Sequence, residues 1–193
     1  MSHVQPAYNQ KMSIHQLSVS FVDRQDRLLL RLNTQDAQEF RFWLTRRLTL
    51  RLLPVLEETL MRLDSGNAQV MAPDRSARKI VSEFQHESFL READFQTPFK
   101  EEARQWPLGK DPMLVTEINL GFMPSGALDL NLIDMGEGGE KQSCQLQLQA
   151  QLVHGLVHLI RQCMEKAAWQ GATPTSAPAE AGAAPESSAV YRH

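Results

Sequence analysis

Little in this sequence marks a membrane protein or a secreted one. No apolar run approaches the roughly 18 residues that a transmembrane helix needs. The start, MSHVQPAYNQ, has no apolar core of the signal-peptide kind. The two cysteines cannot make a disulfide framework. We therefore expect a cytoplasmic protein without membrane contact, in which both thiols stay reduced.

Catalytic signatures are missing as well. The sequence contains no G-x-S-x-G, no P-loop, no G-x-G-x-x-G and no CxxC. Its formal net charge of −3 gives no overall basic excess for nucleic acid. We therefore predict a protein that is not an enzyme and that uses no cofactor.

The charge that is present is unevenly distributed. Residues 1–63 carry nine Lys and Arg against six Asp and Glu, whereas residues 111–193 carry four against nine. A basic front and an acidic back favour an oriented encounter with a charged partner. Scattered surface charge is the simpler explanation.

The strongest pattern is an internal repeat. The segment LSVSF at residues 17–21 matches INLGF at residues 118–122, and each is followed by a turn and a second alternating segment. Residues 40–60 then align with residues 144–164 without a gap. The aligned positions on the two predicted helices are apolar, and they pair Leu48, Leu52, Val55, Leu56 and Leu60 with Leu152, Leu156, Leu159, Ile160 and Met164.

This repeat predicts an α+β fold built from an internally duplicated βββα unit. One such unit has little core of its own. Two units related by a pseudo-twofold axis could bury a shared core. We expect a six-stranded antiparallel arrangement, as one sheet or a split barrel, with two long helices against it.

The domain boundaries follow from the repeat. Within one globular domain, residues 13–169, the first copy spans 13–63 and the second spans 113–169. Residues 64–112 form an inserted surface helix and a proline-punctuated strap. In that helix Ile80, Val81 and Phe84 trace a narrow apolar stripe, which we expect to face the pair of copies.

The two ends are predicted to be tails. Residues 1–12 form a flexible N-terminal tail, and Met12 is an alternative start. Residues 170–193 are rich in Ala, Pro and Ser, and this composition is typical of disorder.

His154 and His158 have the i, i+4 spacing that can present two imidazoles to a metal ion. Both fall on the polar face of the second predicted helix, and no third ligand is indicated. They are weak metal candidates, and a solvated face is the expected arrangement. Cys144 and Cys163 fall on apolar positions and are predicted to be small buried hydrophobes.

The outer face of the first predicted sheet carries the candidate binding residues. If Phe42 and Leu44 point inward, Arg31, Arg41 and Trp43 point outward. Arg46, Arg47 and Arg51 follow at the start of the helix. In the competing interpretation the strap covers Trp43 through Phe95 or Phe99, and the arginines form a solvated, self-paired face.

Over residues 14–63 and 114–169 the predicted topology resembles PUR-repeat and Whirly-type single-stranded nucleic-acid binders, which have four strands per unit where this sequence has three. The resemblance implies that Trp43 stacks on bases while Arg31 and Arg41 contact phosphates. Our leading hypothesis is nonetheless a non-enzymatic binding or assembly module for a protein partner. Single-stranded nucleic acid is the alternative ligand.

Overall fold

The first half of the chain forms a three-stranded antiparallel meander that leads into a helix. The computed structural model describes residues 14–67, 75–92, 99, 105–123, 125–136 and 140–169. The elements are β1 (Ile14–Val22), β2 (Arg27–Thr34), β3 (Glu39–Thr45) and α1 (Arg46–Asn67). The helix follows β3 directly, because Thr45 Oγ1 accepts the backbone N–H of Leu48 at 3.3 Å and so caps its first turn.

The second half repeats this order of elements. Helix α2 (Arg75–Glu92) and the short strand β4 (Met113–Leu114) come first. They are followed by β5 (Glu117–Phe122), β6 (Leu128–Met135), β7 (Lys141–Leu148) and α3 (Ala150–Lys166). None of the three helices that the structure describes has the length and hydropathy of a membrane span.

The strands belong to two sheets rather than to the single sheet that we considered. One sheet has the order β1-β2-β3-β4 and the other β5-β6-β7. Strand β4 runs parallel to β3 and occupies its outer edge, so no strand of the second sheet can pair there. The chain links the sheets immediately after β4. The N–H of Val115 donates to Trp43 O at 3.0 Å, and the N–H of Thr116 donates to Ile133 O at 2.8 Å.

Both meanders pair their strands in corresponding registers. In the first sheet the apolar cross-strand partners are Leu17–Leu32, Val19–Leu30, Phe21–Leu28, Leu28–Leu44 and Leu30–Phe42. In the second sheet they are Ile118–Leu132, Leu120–Leu130, Phe122–Leu128, Leu128–Leu148 and Leu130–Leu146. These positions are those that the sequence alignment equates.

A single hydrophobic core joins the two halves. Helix α3 packs along β1 of the first sheet, and Cys163 Sγ donates to Val19 O at 3.3 Å. Cys144 and Cys163 are buried as predicted, and burial raises the pKa of Cys144 to about 12. The predicted tails and most of the predicted strap lie outside the described residues.

Trp169 closes the core beyond α3. Its ring is buried and meets Phe21 edge-on at 5.5 Å between centroids. Its Nε1–H donates to Asp26 Oδ1 at 2.7 Å. This residue therefore fastens the end of α3 to the turn between β1 and β2.

Candidate functional site

A buried carboxylate lies on the outer face of the first sheet, at the start of β3. Glu39 is 1% exposed, and Arg31 Nε donates to its Oε1 at 2.7 Å. Arg41 donates to both carboxylate oxygens, and Trp106 Nε1–H donates to Oε2 at 3.3 Å. We call Arg31, Glu39, Arg41 and Trp106 the Glu39 network. Burial works to raise the pKa of Glu39, but the hydrogen bonds and charges of the two arginines outweigh it and hold the pKa below its ordinary value.

Two of the predicted binding residues, Arg31 and Arg41, thus donate hydrogen bonds to a buried carboxylate of the fold. The Arg31 guanidinium also lies over the Phe99 ring at 4.3 Å, and Arg41 donates to the Lys110 carbonyl at 3.2 Å. Glu39 shares the face of Arg41 because residues two apart on a strand point the same way. The two-residue period of β3 was readable in the sequence and could have assigned Glu39 to this face.

Trp43 lies on the same face but outside the Glu39 network. It is half-buried, and β4 pairs beside it with Leu114 in register. Of the two phenylalanines expected to cover it, Phe99 lies against Arg31 and Phe95 is outside the described residues.

The arginines at the start of α1 have a different setting. Arg47 and Arg51 are exposed and line a cavity of about 220 Å³ at the seam between the two sheets. We call this the basic pocket, and it is lined by Thr45, Arg47, Leu48, Arg51, Leu114, Val115 and Thr116. The first turn of α1 contains no acidic residue. Cations at a helix N-terminus are unfavourable, so the basic pocket would gain from an anionic ligand.

Helix α2 lies on the surface, and of the three apolar positions predicted to face the pair of copies only Val81 is half-buried. Its only buried side chain among those described is Ser82, whereas Ile80 and Phe84 are 66% and 73% exposed. We call Ile80 and Phe84 the apolar stripe. The helix is turned this way because its opposite side makes polar contacts with α1 and α3.

Those contacts form a chain of hydrogen bonds through three helices. Ser82 Oγ donates to Asp64 Oδ2 at 2.6 Å, and His154 Nε2 lies 3.2 Å from Asp64 Oδ1. His86 Nδ1 then lies 3.0 Å from His154 Nδ1. We call these four residues the histidine–aspartate cluster.

The solvated position predicted for His154 is therefore wrong. Its side chain is 0% exposed and Asp64 is 2% exposed, because α2 covers this side of α3. His158 is half-buried and contacts Gln162, with 3.0 Å between Nε2 atoms. Among the described residues, no three His, Cys, Asp or Glu side chains are arranged to hold a metal ion.

His86 lies at the edge of the cluster, beside a cavity of about 70 Å³. Charged residues of all three helices line this cavity, namely Glu57, Lys79, Glu83 and Arg161. Burial is the largest cause that lowers the pKa of His86 to about 4; the neighbouring His154, Arg161 and His158 also lower it, while Asp64 opposes them.

The residues that sequence reasoning missed came from the predicted insertion and from the end of α1. Ser82 and His86 are one turn apart, as are their apolar neighbours Ile80 and Phe84, so spacing alone could not choose between the two faces. Comparison of the chain with protein families, with curated proteins and with solved structures finds no match.

Proposed function

We propose that this protein is a non-enzymatic binding module whose α2 docks a protein partner through the apolar stripe. The observation that carries the proposal is the orientation of α2. A surface helix ordinarily buries its apolar positions and leaves polar ones in water. Here Ser82 is buried while Ile80 and Phe84 face solvent.

The apolar stripe resembles the anchor residues of a helix that binds in a groove of its partner. Two large apolar side chains one turn apart are the typical anchors of such contacts. Aromatic anchors near the centre of an interface carry much of the binding free energy. Exposed apolar residues scattered singly would need no explanation, but a pair on an otherwise polar face does.

Charges beside the apolar stripe indicate the chemistry of the partner. Lys79 and Glu83 form an exposed ion pair at 3.7 Å, and Arg91 and Glu87 form another at 3.8 Å. Among the α2 side chains that the structure describes, both signs therefore flank the stripe in equal number. This favours a protein groove with an apolar floor and a mixed rim over a polyanion.

Site-specific photo-crosslinking tests the proposal. Benzoylphenylalanine replaces Phe84 in one variant and the exposed Ser20 of β1 in another, and both are irradiated in cells and as purified protein. We expect a discrete protein adduct from position 84 and none from position 20. Adding Ile80→Ser to the position-84 variant should abolish the adduct.

The result that would overturn the proposal is equally specific. If position 84 yields no discrete adduct in either setting, the apolar stripe is not a docking surface. If the adduct survives Ile80→Ser, the contact does not depend on the stripe. An adduct with a second copy of this chain would identify the partner as the protein itself.

The basic pocket favours a second candidate function, binding of single-stranded nucleic acid. This candidate does not draw on Arg31 and Arg41, since Glu39 engages both side chains. It depends on Arg47 and Arg51, which line the basic pocket. Titration of labelled single-stranded DNA and RNA at low and moderate salt tests it, with Arg47→Gln/Arg51→Gln as the loss-of-function variant. Binding that is absent at micromolar protein, or that ignores salt, would exclude it.

We further propose that the two strand-strand-strand-helix units arose by internal duplication and pack about a pseudo-twofold axis. The repeated order of elements and the corresponding registers of β1-β2-β3 and β5-β6-β7 support this proposal. The outer faces have diverged, since Arg41 of β3 aligns with Gln145 of β7. Duplication would have freed the first unit to acquire the Glu39 network.

A further inference from the structure

The inward side of helix α2 combines polar contacts with apolar side chains that are only half-buried, namely Val81, Phe89 and Leu90. No apolar side chain that the structure describes on α2 is buried. Its contacts include Ser82 on Asp64, His86 on His154, and the Phe89 ring 4.8 Å from the His154 ring. Its attachment therefore depends in part on the protonation of the histidine–aspartate cluster.

The hydrogen bonds assign a proton to each position in the cluster. The Asp64 carboxylate accepts from Ser82 Oγ and from Nε2–H of His154. His154 Nδ1 then carries a lone pair, because a neutral imidazole holds one proton. His86 must donate its Nδ1–H to that lone pair, and this leaves Nε2 as its basic nitrogen.

We propose that the histidine–aspartate cluster is a pH-sensitive latch that holds α2 in place when His86 is neutral and releases it when His86 is protonated. In the docked helix a proton on His86 would put a charge in a partly buried position beside cations. In the released helix the same imidazole is hydrated and takes up the proton freely. A second proton on His154 would remove the acceptor and break the Nδ1–Nδ1 hydrogen bond.

Charged and titratable groups face His86 from every helix packed around it. They are Glu57 and Asp64 of α1, Lys79 and Glu83 of α2, and His154, His158 and Arg161 of α3. Glu57 is already engaged by Arg161 at 2.6 Å, and Glu83 by Lys79 at 3.7 Å. The acids close to the cavity are therefore paired, and they offer His86 little compensation for a new positive charge.

The size of the effect follows from proton linkage. Release of α2 is favoured wherever the released histidine binds a proton that the docked one does not. The ordinary pKa of 6.5 and the lowered value of about 4 bound that range. From pH 7.5 to pH 5.5 the equilibrium for release should rise about tenfold.

The inference bears on the same site as the proposed function, and its consequence for a partner rests on that function. The apolar stripe is carried by α2, so a released helix would present Ile80 and Phe84 on a separate, mobile segment. A partner that binds the docked helix would be lost in acid. Release of the helix is itself measurable without any partner.

Amide hydrogen exchange of the full chain, followed by mass spectrometry, tests the latch. Exchange of peptides from α2 is compared at pH 7.5 and pH 5.5 after division by intrinsic rates. We expect opening of α2 to increase about tenfold, and β2 and β6, which open only in global unfolding, to remain far more protected than α2 at both pH values. In His86→Gln, which keeps a hydrogen-bonding side chain but cannot titrate, the increase should disappear. His15→Gln, at an exposed position of β1, should behave as the parent protein does.

Two results would overturn the latch: pH-independent opening of α2 in the parent protein, or the same increase in His86→Gln. Photo-crosslinking from position 84 separates this failure from failure of the proposed function. An adduct without pH-dependent opening would remove the latch and leave the docking surface. pH-dependent opening without an adduct at either pH would support the latch and exclude the docking surface.

Discussion

His86 Nδ1 lies 3.0 Å from His154 Nδ1, so two imidazoles on different helices share a single proton. Only one of the facing nitrogens can carry hydrogen, and Asp64 on the far side of His154 decides which. This relationship fixes the side of α2 that faces inward. It also makes the protein sensitive to acid in a predictable direction.

Global stability should fall as the pH is lowered from about 6.5 toward 4. The pKa of His86 is about 4 in the folded chain against an ordinary value of 6.5. Between these values the unfolded chain binds a proton that the folded chain refuses, so the free energy of unfolding decreases with decreasing pH. Urea unfolding at pH 7.5, 6.5, 5.5 and 4.5 measures this. The slope should be shallower in His86→Gln; parallel curves for the two proteins would contradict the assignment to His86.

Replacement of Glu39 by glutamine should destabilise the protein by about 2–4 kcal/mol, because two arginines would lose a buried counter-ion. Both arginines remain partly exposed and can be rehydrated, which limits the loss. Urea unfolding at neutral pH gives the value, and Trp fluorescence should change, since glutamine offers one acceptor oxygen where the carboxylate offers two to Trp106 and the two arginines. The exposed Asp36→Asn serves as the control. A change of less than about 0.5 kcal/mol would mean that the Glu39 network is incidental.

Substitutions in the apolar stripe should leave stability almost unchanged. Ile80→Ser and Phe84→Ser remove side chains that are mostly in water, so each should shift the unfolding free energy by no more than about 0.5 kcal/mol. Phe42→Ala, in the core, should cost about 3–5 kcal/mol. Thermal and urea unfolding compare the three variants. A large loss in Phe84→Ser would assign that residue to the core.

Truncation should reveal a sharp boundary at Trp169. A chain that ends at residue 169 keeps the buried indole and its bond to Asp26, so its Tm should match that of the full chain. A chain that ends at residue 168 loses a buried aromatic ring, with a cost of about 3–5 kcal/mol. Calorimetry of the two truncations makes the comparison. Equal Tm values would show that Trp169 is not part of the fold.

The strands and the two long helices could be predicted because their apolar spacing is regular. Leu28, Leu30 and Leu32 alternate on β2, and the same alternation recurs on β6. Strand β4 could not be predicted from the sequence, because a strand of two residues has no periodic pattern. Its pairing with β3 depends on the path of the chain, and that pairing is what separates the two sheets.

The candidate site was harder to predict, because its polar residues come from distant parts of the chain. Asp64 and His154 are 90 positions apart and meet only when α1 and α3 pack. The amphipathic pattern of α2 predicted that its apolar side faces inward. A hydrogen-bonding partner on α3 instead turns the polar side of α2 inward. The strand pattern correctly predicted that Arg41 points outward. Its hydrogen bonds to Glu39, which the prediction did not include, give it a structural role.

The packing of α3 on β1 has a consequence for how the chain is made. Val19 and Cys163, which meet in the core, are 144 positions apart, so the first sheet leaves the ribosome long before the helix that covers it. During that interval the apolar face of the first meander lacks its natural cover. Completion of the core must therefore wait for the synthesis of α3, and newly made chains should depend on chaperones until α3 emerges.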